Sequence, residues 1–327
     1  MQEKITKLKK LIENSNRILL INHIRMDPDA FGSLTAFYYI LKKLNKNVKA
    51  INDENKPESF VFLDKNQIFE PNLDLKEFNP DLIISFDAAS IGQLWKIYTN
   101  NENIFNNSDL IVIDHHATNK WFGNLNIIYS NYSSTCELLY DIIVKINYEK
   151  HIDNKIANLL MAGILTDTNV FYNTNVTSNT HKVAWELLRL WANSRKSIFE
   201  FFKKKSLIKT KLLWKALFNI KELKKEVYNK KIRYTILTKK DLEEIWANDR
   251  DTNWIIEHII NIESTEIAFI IYPLDNWWYK VSFRSHKYNV SKLAEFLGWW
   301  WHKQAAWSNL KNDINQTLNK IENYIDN

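Results

Sequence analysis

The segment Leu110-Ile-Val-Ile-Asp-His-His-Ala117 is the most informative part of the chain. Its first four residues are branched and apolar, which is typical of a strand buried on both faces in a parallel sheet. The run ends on Asp114, His115 and His116, three polar side chains for which a buried strand has no structural use. In an α/β sheet, ligands bind outside the carboxyl ends of the strands. The segment therefore predicts a functional site at this edge of a parallel sheet.

Three other apolar runs, at residues 18–22, 82–86 and 159–166, also lead into acidic or imidazole side chains. If these ends converge on the first segment, four carboxylates and two imidazoles face one another. At roughly 4 Å and an effective dielectric constant near 20, each pair of carboxylates would cost about 4 kcal/mol, which indicates bound cations. The candidate metal ligands are His23, Asp27, Asp29, Asp87, His115 and Asp167.

This ligand chemistry predicts two divalent metal ions. Carboxylates with a few imidazoles suit Mn²⁺ or Mg²⁺, and zinc or cobalt also accept them. Taken alone, His23-x-x-x-Asp27-x-Asp29 is more often a solvated loop, Asp87 is also a suitable N-cap, and a histidine pair is often structural. Because several predicted strands each end in acidic or imidazole residues, a metal site is favoured over these separate interpretations. We expect Mn²⁺, with Mg²⁺ or Co²⁺ as alternatives.

The order and spacing of these motifs resemble the DHH phosphoesterases. In addition, Leu297-Gly-Trp-Trp-Trp-His-Lys-Gln-Ala-Ala-Trp307 resembles the glycine-rich GGGH motif of the DHHA1 domain that follows DHH in one subfamily. The resemblance covers nearly the whole chain and is strongest to the nanoRNase and phosphoadenosine-phosphate phosphatase group. It implies an α/β fold, in which a DHH domain has a mainly parallel sheet flanked by helices and a smaller α/β DHHA1 domain lies across a cleft. The expected domains are residues 1–192, a helical connector at 193–227, and 228–327.

The resemblance also implies a role for each motif residue. His23 and Asp27 would bind one ion and Asp29 its neighbour, while Asp87 would bridge both ions. His115 would be a further ligand, and Asp167 would complete the set of ligands of the second ion. Two catalytic residues are implied. His116 would face the substrate phosphate and protonate the leaving group, and Asp114 would be the neighbouring support of the ligand His115.

The expected substrate-binding residues lie near the carboxyl end of the chain. Arg284 and Ser285 match an Arg-Ser pair of the family that follows a hairpin, and a glycine loop opening onto His302 would let backbone N–H groups approach phosphate. Trp300 and Trp301 occupy glycine positions of that loop.

The implied function is a Mn²⁺-dependent phosphoesterase that degrades very short oligoribonucleotides and removes the 3′-phosphate from 3′-phosphoadenosine 5′-phosphate. One alternative is a phosphodiesterase for cyclic di-AMP or its linear dinucleotide. Another is a nucleotide-binding protein without catalysis, if the tryptophans of the GGGH-like loop are genuine. The partner would be a short oligoribonucleotide or a mononucleotide bisphosphate. The residues leave open the cleavage direction, the native metal and whether the chain forms a homodimer.

Composition favours a cytoplasmic enzyme of two domains. The chain has 327 residues, 45% of them hydrophobic and 25% charged, without an apolar run long enough to span a bilayer or an apolar secretory core at its start. The single Cys136 excludes an internal disulfide. The net charge of +6 comes from scattered lysines and carries little weight for nucleic-acid binding.

The chain has thirteen tryptophans and only five glycines, although glycine usually makes up about 7% of residues. Trp191 and Trp246 follow helical patterns, where a left-handed residue such as glycine is typical, and Trp121 stands in a glycine position of the family. Trp277 and Trp278 lie where a hairpin favours Asn-Gly, and Trp299, Trp300, Trp301 and Trp307 replace glycines of the GGGH-like motif. We therefore hypothesise that most or all of the tryptophans are UGA codons that the organism reads as glycine.

Overall fold

The computed structural model describes residues 1–252, 254–274, 278–298, 305–310 and 314–325. The chain divides into two compact units, Met1–Lys204 and Lys205–Asn327. Each unit is built around its own five-stranded sheet, and the sheet of the first unit is parallel throughout. The predicted α/β fold class is thus confirmed. Within the described part of the chain, no helix is both long and apolar enough to cross a membrane.

The sheet of the first unit has the strand order β2-β1-β3-β4-β5. The predicted strand at residues 110–113 lies in β4, which pairs with β3 on one side and β5 on the other. The short edge strand β5 was not predicted, because its residues alternate between buried and half-buried positions and form no continuous apolar run. The five strands are β1 Arg17–Asn22, β2 Asn47–Ile51, β3 Leu82–Phe86, β4 Asp109–Asp114 and β5 Leu125–Ile128.

Helices cover both faces of this sheet, which explains why its inner strands are apolar at successive positions. Along β1, Ile18 and Leu20 join one hydrophobic cluster, whereas Leu19 and Ile21 join another on the opposite face. The helices of the unit are α1 Gln2–Asn14, α2 Pro28–Lys43, α3 Leu75–Phe78, α4 Trp95–Thr99, α5 Glu102–Asn107, α6 Thr135–Lys145, α7 Asn154–Asp167, α8 Ser178–Arg189 and α9 Ser194–Ile198, and a π-helical turn follows at Phe199–Lys203.

Helices α2 and α7 cross in close contact at two glycines. A Cβ atom on Gly32 would lie 2.5 Å from the carbonyl oxygen of Leu159. A Cβ atom on Gly163 would lie 2.5 Å from Oδ1 and 3.0 Å from Cα of Asp29, and it would also collide with Sγ of Cys136. Since neither position has room for a side chain, the two helices can approach this closely only with glycine there.

The second unit has a mixed sheet of strand order β10-β9-β8-β7-β6, in which only β7 and β8 are parallel among the described residues. Alternate residues of β8 face two clusters, with Phe269 in one and Ile270 in the other. Its strands are β6 Lys221–Val227, β7 Lys230–Ile236, β8 Thr265–Pro273, β9 Tyr279–Ser285 and β10 Ala305–Leu310. Its helices are α10 Leu207–Phe218, α11 Lys239–Ile245, α12 Ile255–Ile260, α13 Val290–Phe296 and α14 Ile314–Ile325.

The sequence pattern predicts one lysine-rich helix from Arg195 to about Leu223, and this prediction is wrong in two respects. The helical segment is interrupted before Ser206, whose hydroxyl accepts a hydrogen bond from the Lys209 N–H and caps α10. Beyond Phe218 the chain forms β6, which pairs with β7 and buries Leu223. The pattern did not predict this strand, because its two buried apolar residues, Leu223 and Val227, are four positions apart and are separated by lysines and a glutamate.

Four tryptophans have a left-handed backbone. Their φ angles are 43° at Trp95, 55° at Trp121, 65° at Trp191 and 62° at Trp246. Such angles are outliers for a bulky side chain and cost about 1–3 kcal/mol each. The four side chains are between 47% and 87% exposed, so little packing offsets this cost. The expected left-handed backbone at residues 191 and 246 is confirmed, and Trp121, which stands in a glycine position of the family, also has positive φ. Trp277, Trp299, Trp300 and Trp301 lie outside the described residues.

We expect Gly163→Ala to lower the free energy of unfolding of the first unit by about 1–3 kcal/mol, because the new methyl group overlaps Asp29 and Cys136. Chemical denaturation followed by circular dichroism measures this loss. Gly92→Ala is the matched control, since its Cβ would meet only the Ser90 hydroxyl, at 3.9 Å. Equal stability of the two variants would contradict the close crossing of α2 and α7.

Candidate metal centre

The carboxyl ends of the strands in the first sheet bring the predicted ligands together. His23 follows β1, Asp87 follows β3, and His115 follows Asp114, the last residue of β4. Asp167 reaches the same place as the last residue of α7. Parallel strands end at the same edge of a sheet, and this edge is where the segments meet.

Three groups of these side chains are close enough to hold a metal ion, because their potential ligand atoms lie within 4.8 Å of one another. Asp87 occurs in two of the groups, and His115 also occurs in two. The groups are His23 with Asp27 and Asp87; Asp29 with His115 and Asp167; and Asp87 with His115 and His116. The first two together contain all six ligands that the sequence predicts.

The distances between the groups are short. Nε2 of His23 lies 3.6 Å from Oδ2 of Asp87. Nε2 of His115 lies 3.1 Å from Oδ2 of Asp167, 3.7 Å from Oδ1 of Asp87 and 4.0 Å from Oδ2 of Asp29. His115 therefore faces three carboxylates at once.

The amino-terminal end of α2 positions Asp27 and Asp29. Asp27 is the N-cap of this helix, and its Oδ1 atom accepts hydrogen bonds from the N–H groups of Asp29 and Ala30, at 3.0 and 2.9 Å. Asp29 is fully buried, and its two oxygens accept hydrogen bonds from the N–H groups of Thr135 and Cys136, at 2.7 and 2.9 Å. Two helix termini thus hold these carboxylates in place.

Asp87 has a left-handed backbone, with φ of 55°. Its N–H donates to the carbonyl oxygen of Ile113, so pairing with β4 continues one residue beyond β3. A non-glycine residue in this conformation is uncommon, and such residues cluster at functional sites. The turn directs the buried Asp87 carboxylate toward His23 and His115.

Asp114 supports the histidine pair through hydrogen bonds. Its Oδ1 atom accepts from the N–H groups of His115 and His116, at 2.8 and 3.2 Å, and lies 2.7 Å from Nδ1 of His116. Its Oδ2 atom accepts from the amide of Asn119 at 2.6 Å. Since both oxygens are engaged, Asp114 orients the His116 ring, whose side chain is 44% exposed.

The buried charges shift the pKa values of the site in opposite directions. Burial alone would lower the pKa of His23, but its contact with Asp87 raises it to about 9. Burial also opposes charge on His115, yet Asp167, Asp29 and Asp87 raise its pKa to about 10. For Asp87, burial favours the neutral acid, but the neighbouring histidines hold its pKa at about 2. Burial and repulsion from Asp167 and Asp87 raise the pKa of Asp29.

These residues fit a divalent cation. Nε2 of His115 is buried and makes no hydrogen bond to any residue that the structure describes, although three carboxylates face it. An unpaired imidazole nitrogen among carboxylate oxygens is a suitable ligand set for Mn²⁺ and related divalent ions. The acidic and imidazole groups are therefore positioned for metal binding.

The predicted substrate residues lie in the second unit or outside the described residues. Arg284 is on β9, where its Nε atom donates to Glu257 at 2.7 Å, and the Ser285 hydroxyl donates to the carbonyl oxygen of Tyr288. Trp300, Trp301 and His302 lie outside the described residues.

Several supporting residues were not predicted. The hydroxyl of Thr135 donates to Oδ1 of Asp87 at 2.8 Å, and the Asn119 amide holds Asp114. The sequence indicated a helix start here through Ser134 and Glu137, and Ser134 is indeed the N-cap of α6. A helix start offers free N–H groups, but the pattern alone does not reveal which carboxylate they bind.

We expect metal binding to release about two protons near pH 7.5, because His23 and His115 are protonated there without metal and must be neutral to bind a cation. The apparent metal affinity should therefore rise as the pH increases from about 6.5 toward 9. Calorimetric titration with Mn²⁺ in buffers of different ionisation enthalpy measures both effects. An affinity independent of pH across this range would show that His23 and His115 do not lose protons when the metal binds.

Known relatives match both the first unit and the whole chain. The bifunctional oligoribonuclease and PAP phosphatase NrnA of Bacillus subtilis strain 168 is 29% identical over 190 residues, which cover 56% of each chain. The alignment thus spans little more than half of that relative. The NrnA protein of Mycoplasma genitalium, with the same descriptive name, is 24% identical over 310 residues, covering 92% of this chain and 91% of the relative.

A solved structure shares the fold along the whole chain. The exopolyphosphatase-related protein from Bacteroides fragilis superposes with a TM-score of 0.86 at 21% identity, covering 100% of this chain and 96% of the other. Residues 17–164 match the family model described as the DHH family, N-terminal domain. This range contains β1 to β5 and most of the predicted ligands. Residues 17–164 therefore contain a DHH family N-terminal domain.

Proposed function

We propose that this protein is a two-metal phosphoesterase that hydrolyses short oligoribonucleotides and removes the 3′-phosphate from 3′-phosphoadenosine 5′-phosphate. The observation that carries the proposal is the pair of neighbouring ligand groups, His23 with Asp27 and Asp87, and Asp29 with His115 and Asp167. Oδ1 of Asp87 also lies 3.7 Å from His115, so one carboxylate adjoins both groups. A carboxylate in this position supports two adjacent ions, for which we propose Mn²⁺.

Two bound divalent cations would supply Lewis acidity to the phosphate group and lower the pKa of water that attacks it. The chain provides the matching negative charge, because Asp87 stays ionised at neutral pH. Phosphate-ester hydrolysis is extremely slow without a catalyst, so strong charge stabilisation is the contribution that the reaction requires.

His116 is suited to donate a proton to the leaving group. Its Nδ1 atom lies 2.7 Å from Oδ1 of Asp114, which leaves Nε2 on the exposed side of the ring. Burial opposes charge on this ring, but its hydrogen bond to Asp114 and the nearby Asp87 raise its pKa above the ordinary value, which favours the protonated form that a proton donor requires. Asn119 keeps Asp114 in place through its 2.6 Å hydrogen bond.

The names of the relatives support the substrate class. The Bacillus subtilis and Mycoplasma genitalium proteins are both named for oligoribonuclease and PAP phosphatase activities. We propose Arg284, Ser285 and His302 as substrate contacts.

With Mn²⁺, we expect the protein to hydrolyse two kinds of substrate: RNA oligonucleotides of about two to five nucleotides, and 3′-phosphoadenosine 5′-phosphate. A chelator should abolish both activities. Asp87→Asn should lower kcat at least about a hundredfold, because it removes the charge shared by the two ligand groups. Asp109→Asn is the matched control, since this exposed aspartate begins β4 at the opposite end of the sheet.

Product analysis by chromatography separates the alternatives. If the protein cleaves cyclic di-AMP or its linear dinucleotide in preference to the proposed substrates, it is a phosphodiesterase for those dinucleotides instead. Nucleotide binding without turnover, with Mn²⁺ bound, would overturn the enzymatic proposal in favour of a binding protein.

A further inference from the structure

The first helical residue of α6 contacts carboxylates of both ligand groups. The N–H of Thr135 donates to Oδ2 of Asp29 at 2.7 Å, and its hydroxyl donates to Oδ1 of Asp87 at 2.8 Å. The next N–H, from Cys136, donates to Oδ1 of Asp29 at 2.9 Å. Thr135 therefore connects Asp29 of one ligand group with Asp87 of the other.

This arrangement is rigid. Thr135 is fully buried, and its helix is capped by the Ser134 hydroxyl, which accepts from the Glu137 N–H at 3.0 Å. Glu137 is itself buried and accepts hydrogen bonds from Ser133 and Thr180. The backbone of Thr135 is thus held by the helix start, independently of the carboxylate that its hydroxyl binds.

We propose that Thr135 is a positioning residue of the metal centre, whose hydroxyl fixes the plane of the Asp87 carboxylate so that its oxygens face the two ligand groups. The Thr135 hydroxyl donates to Oδ1, the oxygen that faces His115, and Oδ2 of the same carboxylate faces His23. Partners of this kind, which orient metal ligands without binding the ion, commonly change metal affinity or activity by about 10- to 100-fold. The proposal rests on the proposed function only in assigning these ligands to metal ions.

The test compares Thr135→Val with Thr135→Ser. Valine keeps the shape and the backbone N–H but removes the hydroxyl, so we expect Mn²⁺ affinity in calorimetric titration to fall about 10- to 100-fold. Serine keeps the hydroxyl, and its affinity should remain near that of the parent. Thr35→Val is the control, because Thr35 is also buried but its hydroxyl has no hydrogen-bond partner among the described residues.

The outcomes distinguish this proposal from the proposed function. Unchanged Mn²⁺ affinity in Thr135→Val, or equal losses in the valine and serine variants, would overturn the positioning role. A selective loss of affinity in the valine variant, in a protein that hydrolyses none of the substrates, would support the positioning role while overturning the enzymatic function. Thermal unfolding in a chelator identifies any variant that fails to fold. If Thr135→Val does not fold, the Mn²⁺ affinity of Thr135→Ser is the test: an affinity near that of the parent supports the positioning role, and a loss contradicts it.

A second inference comes from the backbone at four tryptophans. Trp95, Trp121, Trp191 and Trp246 have positive φ, and their side chains are exposed. At Trp95, ψ is −127°, a combination that bulky residues rarely adopt. Glycine adopts such conformations without steric cost, whereas an exposed indole gives no compensating burial.

The segments of two of these tryptophans are linked by hydrogen bonds to residues of the candidate metal centre or their neighbours. The N–H of Trp121 donates to the side-chain oxygen of Asn119, the residue whose amide holds Asp114. Trp95 follows the turn that contains Gln93, whose carbonyl oxygen accepts the N–H of Ile24, next to His23. The strained backbone thus occurs at the start of α4 and in the segment after Asn119, both of which are hydrogen-bonded toward the candidate metal centre.

We propose that the natural polypeptide has glycine at positions 95, 121, 191 and 246, encoded by UGA. The thirteen tryptophans and five glycines of the chain are the composition that reading UGA as tryptophan would produce. The gene sequence and peptide mass spectrometry of the protein from its own organism test the proposal directly. UGA codons with the residue mass of glycine would support it, whereas UGG at any of the four positions would overturn it.

A pair of variants tests the backbone argument in recombinant protein. Trp191→Gly should raise the midpoint of thermal unfolding by about 2–4 °C by relieving a left-handed tryptophan. Trp185→Gly is the matched control, because this exposed residue lies within α8, where glycine weakens the helix and should lower the midpoint. A lower midpoint for Trp191→Gly would contradict the proposal.

Discussion

Repulsion among four aspartates is the constraint on which the first unit depends. Asp29 and Asp87 are buried, and Asp27 and Asp167 have oxygens within the same small cluster. Carboxylates at such distances raise one another's pKa unless positive charge lies between them. The protein can maintain this arrangement only because several elements supply compensating charge or hydrogen bonds, and a bound cation would supply more.

The compensation comes from three kinds of group. His23 and His115 contribute imidazole nitrogens, the start of α6 contributes two N–H groups and its favourable dipole to Asp29, and the start of α2 contributes two N–H groups to Asp27. Asp114 has a different role, because it accepts hydrogen bonds from His115, His116 and Asn119 and belongs to none of the three groups that could hold a metal ion. The centre therefore separates carboxylates that can bind ions from one that orients an imidazole.

The sequence was sufficient to predict the elements that carry a strong pattern. Buried strands such as β4 are continuous apolar runs, and the polar residue that ends each run identifies the edge where they meet. The hydroxyl of Thr135 and the amide of Asn119 could not be found this way, because their partners are distant in sequence and known only from the fold. Strands β5 and β6 were missed for another reason, since neither contains a continuous run of buried apolar residues: half-buried positions alternate with the buried ones in β5, and mostly exposed positions separate the two buried residues of β6.

Helix α7 affects the metal centre in two ways. Gly163 contacts Asp29, and Asp167, one turn further along the same face, presents its own carboxylate to His115. A small rotation or shift of α7 would thus displace two ligands together, Asp167 on α7 itself and Asp29 on α2. Spectroscopy of a cobalt- or manganese-loaded centre would consequently report on side-chain packing deep within the α2–α7 interface, at positions that never touch an ion.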